Sequence, residues 1–79
     1  MNKNSRLTLD KLSIGEEAII ESFTSDAVKL ILLEMGCIPG EKISVERIAP
    51  LGDPIAINVS GYLLSMRKAE AAAVEVKRV

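Results

Sequence analysis

The feature that most constrains this chain is a pair of alternating runs on either side of one stiff loop. In Lys42-Ile43-Ser44-Val45-Glu46, Ile43 and Val45 fall on one face and Ser44 and Glu46 on the other, with the run continuing through Arg47-Ile48. In Ile55-Ala56-Ile57-Asn58-Val59 the branched side chains again take alternate positions. A period of two describes a strand with one buried face, so the runs predict a hairpin joined through Ala49-Pro50-Leu51-Gly52-Asp53-Pro54. Ala49 to Gly52 suits a type I turn, with Pro50 at its second position and Gly52 at its fourth, and Asp53-Pro54 then restricts the exit to extended backbone.

The flanking segments read as short elements around that hairpin. Leu7, Leu9, Leu12 and Ile14 surround Asp10-Lys11 and predict a tucked turn ending at Gly15-Glu16. Ala18 to Phe23, with Ile19 and Ile20, predicts a strand that the cluster from Ser22 to Asp26 ends. Ser25 is a good N-cap, Asp26 favours the positive end of the helix dipole, and Gly36 stands where a left-handed residue closes a helix. The helix is expected from Asp26 to Met35, followed by a turn at Pro39-Gly40. Gly61 ends the hairpin, Tyr62 to Met66 can form another strand, Arg67 to Ala72 has the composition of one helical turn, and Val74 to Lys77 closes as an alternating strand. The expected fold is mainly β (α+β by content), with about five strands, one inserted helix and a short helical turn before the last strand. So little chain avoids bare sheet edges by curling onto itself, which points to a small closed SH3-like barrel over residues 7–79, preceded by a flexible N-terminus at 1–6.

Few kinds of chemistry fit these residues. Among 79 residues there is no histidine and one cysteine, Cys37, so neither a Ser-His-Asp nor a Cys-His arrangement can be assembled. Glu16-Glu17 lies in a polar turn and reads as a solvated face. Gly36-Cys37-Ile38-Pro39-Gly40 lacks the Lys-Ser/Thr ending of a phosphate-binding loop and reads as turn punctuation. Without imidazole or a close ligand pair, no metal site and no cofactor are expected, and Cys37 reads as a small hydrophobe beneath a turn. A net charge of −1 and one Phe and one Tyr provide neither a basic face nor stacking platforms, which argues against nucleic acid. A single cysteine excludes an internal disulfide and fits a cytoplasmic setting, and no apolar stretch is long enough to span a bilayer, so a membrane role would run through a partner.

Two surfaces are candidates for that partner. In the helix, Val28, Ile31, Leu32 and Met35 form one apolar stripe, whereas Leu30 and Leu33 fall among Asp26, Lys29 and Glu34. If exposed, these two leucines make a partner-facing patch, or bury one another in a homo-oligomer. The second candidate is the 49–54 loop, because a stiff loop with Leu51 at its tip loses little entropy on docking.

Three ordered blocks carry a family resemblance: Leu33-Glu34-Met35-Gly36-Cys37-Ile38-Pro39-Gly40, then Ala49-Pro50-Leu51-Gly52-Asp53-Pro54, then Gly61-Tyr62-Leu63-Leu64-Ser65-Met66-Arg67-Lys68-Ala69-Glu70-Ala71. Together with the Leu9 to Gly15 opening, they resemble the FeoA family of small cytoplasmic proteins of ferrous-iron uptake. The resemblance implies an SH3-like barrel without enzymatic activity, acting beside FeoB, a ferrous-iron permease with a cytosolic G-protein domain. It adds Arg67 to the candidate partner-binding residues Leu30, Leu33, Pro50, Leu51, Gly52 and Asp53, and leaves Gly36, Pro39, Gly40 and Pro54 as structural turns. Two departures stand out: Ile31 takes the place of a basic residue before the helix leucines, and Met66 replaces the leucine before Arg67. The alternatives are a transition-metal-responsive regulatory module, since such barrels also resemble the C-terminal domains of iron-dependent repressors, and a self-associating adaptor.

Overall fold

In the computed structural model, which describes residues 7–79, five strands form one antiparallel sheet; the expected flexible N-terminus at 1–6 lies outside the described residues. The strands are β1 (Glu17–Phe23), β2 (Lys42–Ile48), β3 (Ile55–Val59), β4 (Tyr62–Met66) and β5 (Val74–Arg78), in spatial order β4-β3-β2-β1-β5. Helix α1 (Asp26–Glu34) joins β1 to β2, and a single helical turn, α2 (Lys68–Ala71), joins β4 to β5. The β2–β3 hairpin forms as the alternation predicts, with Ile43 opposite Val59 and Val45 opposite Ile57.

The alternation in β3 is complete, and Ile55, Ile57 and Val59 are all buried. In β2 it breaks after Val45, where the register slips before Arg47 and leaves Ile48 half-buried. A second slip in β1 separates Ile20 from Ser22. Such irregularities bend and twist a strand, and they let this short sheet curl around its own side chains. The core gathers Leu9, Ile20, Leu32, Ile43, Val45, Ile57, Val59 and Val74, each almost fully buried, where a large aliphatic side chain contributes about 1.5–3 kcal/mol. No polar or charged side chain is buried among the described residues.

The sheet is SH3-like but not closed, which corrects the expected closure: β4 and β5 are its two ends and do not pair. The N-terminal segment meets β5 instead. Val76 N–H donates to the Leu7 carbonyl at 2.9 Å, Thr8 bridges to Glu75, and a 3-10 turn at Leu9–Lys11 inserts Leu9 and Leu12 into the core. Ile14, grouped with these leucines by sequence, stays exposed.

Helix α1 begins as read: Ser25 Oγ accepts from Val28 N–H at 3.3 Å. It ends in a Schellman motif, with Gly36 N–H donating to Leu33 O at 3.2 Å and Cys37 N–H to Leu32 O at 2.9 Å. Gly36 has φ +90°, and a Cβ there would stand 2.5 Å from the Tyr62 hydroxyl, which donates to the Met35 carbonyl. The helix lies against β1 and buries a narrower line than the predicted stripe. Leu32 is buried and Val28 packs on the core, but Ile31 and Met35 are 45% and 42% exposed. Leu30 points outward at 68% exposure, while Leu33 is half-buried, so the two leucines do not form one equally open pair.

Candidate functional site

The β2–β3 loop folds on its own hydrogen bonds and is then fastened to α2. Gly52 N–H donates to Ala49 O at 2.7 Å, closing the predicted turn, and Ala49 N–H donates to Pro54 O at 3.0 Å. Gly52 takes φ +85°. Asp53 Oδ1 accepts from Lys68 N–H at 2.9 Å, so the carboxylate satisfies a donor at the first turn of α2. Glu70 supports the same turn from within by accepting from Arg67 N–H at 2.8 Å. Both carboxylates are thus committed to backbone amides, while the Arg67 and Lys68 side chains remain exposed and in no described ion pair.

Leu51 projects from this braced loop at 94% exposure, with Pro50, Asp53 and Pro54 also exposed. Beside it lies a shallow cleft of about 190 Å³ lined by Pro54, Ser65, Met66, Arg67 and Glu70. The structure therefore brings the 49–54 loop and Arg67 together. Leu30 and Leu33 belong to α1, on the other side of β2 in the chain and packed against β1. Sequence reasoning missed Ser65, Met66 and Glu70 as cleft residues; the spacing Arg67–Glu70, three apart at a helix start, was the signal for the Glu70 bond. Of the turn residues, Gly40 takes φ +97° and returns its N–H to Ile20 O at 2.8 Å, and Gly36 closes α1.

Cys37, Glu16 and Glu17 have structural settings. Cys37 is buried in the core, and burial, with the nearby Glu41 charge, pushes its thiol above the usual range. Glu16 accepts from Arg78 Nε at 2.8 Å and from Ser13 N–H at 2.7 Å, which hold its carboxyl below the usual range. Glu17 faces Lys42 at 3.6 Å. No group of three or more His, Cys, Asp or Glu placed to hold a metal ion occurs among the described residues, and no helix there is long and apolar enough to cross a membrane.

A curled five-stranded sheet with a braced, apolar-tipped loop defines a small SH3-like domain. The FeoA domain family matches residues 7–78, and the chain belongs to that family. A fusion of Fe(2+) transport protein A with the Fe(2+) transporter FeoB, from Porphyromonas gingivalis, is 34% identical over 74 residues, covering 92% of this chain and 9% of that much longer protein. The solution structure of FeoA from Chlorobium tepidum shares 39% identity and a TM-score of 0.86, over 92% of this chain and 70% of that one. The zinc complex of FeoA from Stenotrophomonas maltophilia, described as a prokaryotic SH3 domain protein, shares 29% identity and a TM-score of 0.78, over 90% of this chain and 89% of that one.

Proposed function

We propose that the chain is a non-catalytic cytoplasmic accessory of ferrous-iron uptake that docks on the cytosolic part of a FeoB-like permease and modulates transport. The observation that carries this reading is Leu51, 94% exposed at the tip of a loop pinned by the Asp53–Lys68 bond. A braced loop presents an apolar side chain with little ordering cost, and Arg67 and Lys68 offer cations beside it for acidic groups on the partner. Fusion of the homologous domain to FeoB in Porphyromonas gingivalis supports the choice of partner, since two domains that work together gain effective concentration when tethered. Leu30 and Leu33 on α1 form the secondary candidate surface. The ferrous ion is the permease's cargo in this reading, and the domain itself holds none.

Titration of the isotope-labelled chain with the cognate permease, and separately with its cytosolic domain, tests the proposal by NMR. Amide signals from Ala49 to Asp53 and around Arg67 are expected to shift or broaden, and Leu51→Glu to abolish the effect. Unchanged signals against both preparations would overturn it.

A further inference from the structure

Strand β4 is an end of the sheet, and its outer side is bare. It closes on β3 through Ser60 (φ +51°) and Gly61 (φ +87°), a two-residue turn with both central residues left-handed, as in a type I′ hairpin. In such a hairpin the closing pair, Val59 and Tyr62, is hydrogen-bonded, and bonding then alternates along the ladder. Leu64 and Met66 therefore spend their backbone groups on β3. The N–H and C=O of Leu63 and Ser65 point away from the sheet, and no described backbone bond outside the sheet ladders engages them.

Sequence does nothing to blunt this edge. Tyr62-Leu63-Leu64-Ser65-Met66 contains no charge and no proline, the usual devices that keep an edge from pairing with another chain. Exposed apolar side chains also collect beside it. Leu63 is 56% exposed on the outer face and Tyr62 44% exposed on the other, where its hydroxyl binds the Met35 carbonyl and so sets the exposed Met35 and Ile31 of α1 next to the strand.

We propose that the chain forms a two-fold dimer in which β4 pairs antiparallel with β4 of a second copy, joining the two sheets into one. A two-fold axis through Leu64 sets Leu63 opposite Ser65 of the second copy and Ser65 opposite its Leu63, so the outward groups of both residues bond reciprocally. Charge selects the same arrangement. In this register Arg67, which follows the last residue of β4, comes up to the Ser60-Gly61 turn of the second copy, and Ser60 Oγ donates to Glu41 at 3.0 Å, which fixes Glu41 at that end of the strand. Neither Arg67 nor Glu41 takes part in a described ion pair within its own chain. The two-fold axis therefore brings a cation, Arg67, toward one acidic side chain at each end of the shared ladder. A strand of five residues is short against the roughly 1,200–2,000 Å² of a standard stable interface, so the dimer is reversible and concentration-dependent.

Sedimentation of the full chain from micromolar to millimolar concentration tests this, with amide spectra recorded over the same range. The apparent mass is expected to rise from one chain to two, with concentration-dependent shifts at Leu63 and Ser65. Leu63→Lys is expected to hold the chain monomeric, and Arg67→Glu to weaken association until Glu41→Arg is added to the same chain. Leu51→Glu is expected to dimerise like the parent, which keeps this result separate from docking on the permease. A parent that stays monomeric throughout, or a dimer whose shifts map to α1 or to the 49–54 loop and leave Leu63 and Ser65 unmoved, would overturn the proposal; so would a Leu63→Lys variant that folds and associates unchanged.

Discussion

The two ends of the sheet meet the same physical problem in opposite ways. The β5 edge carries Glu75, Lys77 and Arg78, is met by Leu7 and Thr8 of its own chain, and is tied by Arg78 to Glu16. The β4 edge, Tyr62 to Met66, carries no charge, and no described backbone bond covers it. An edge strand is a template for pairing, and a chain guards it with charge or cover wherever pairing would harm. One edge here has both devices and the other has neither. The asymmetry indicates that β5 belongs to the inside of the fold's design, whereas β4 is left available.

The largest expected effect comes from uncovering the guarded edge. Leu9 is 1% exposed and anchors the segment that lies on β5, so Leu9→Ala is expected to lose about 2–5 kcal/mol, read from the urea midpoint. Hydrogen exchange should show the Val76 amide, which bonds Leu7 O, losing protection early. A variant of unchanged stability would show that the N-terminal segment is not what closes this side. Next is the junction that stiffens the bare edge. Gly36→Ala forces a side chain into a left-handed position, worth roughly 1–2 kcal/mol, and sets its Cβ against the Tyr62 hydroxyl. Adding Tyr62→Phe removes that collision, so the double variant should unfold at a higher temperature than Gly36→Ala alone. Smaller again is Asp53→Ala, which leaves the Lys68 amide without its acceptor and should cost about 1 kcal/mol, as lost helix caps do. Amide shifts confined to the 49–54 loop and α2 would confirm that the loop is braced through this bond.

Much of this was legible in the sequence, and the misses share a cause. Alternation at Ile43, Val45, Ile55, Ile57 and Val59 reports burial directly, because a strand side chain has only two directions to take. The Ser25 and Gly36 helix signals were equally local. Ile31 and Met35 were misread because periodicity shows which residues share a helix face and not how wide a strip the neighbouring sheet covers; α1 meets β1 along a line that buries only Leu32 fully. Closure was misread for a similar reason: whether β4 reaches β5 is settled by where the N-terminal segment docks, through the Val76–Leu7 bond. At the candidate site, Pro50, Gly52 and Asp53 announced the turn, but the staple from Asp53 to Lys68 spans fifteen positions and leaves no local pattern.

The smallest effect concerns the ion pair that finishes the β5 edge, and its direction with pH follows from Glu16. Arg78, foremost, and the Ser13 amide stabilise the ionised carboxylate in the folded chain, so its proton affinity is lower there than in the unfolded chain, where 4.5 is the ordinary value. A depressed carboxylate contributes stability above that ordinary value, and the contribution fades as pH falls through it toward the folded-state value. The parent should therefore lose slightly more stability than Glu16→Gln on acidification through the carboxylate range. Both groups are open to solvent, so salt should shrink the difference. Urea midpoints of the two proteins, taken across that range at low and high ionic strength, give the comparison. Parallel acid limbs at low salt would mean that Arg78 guards the edge by its charge alone, without help from its bond to Glu16.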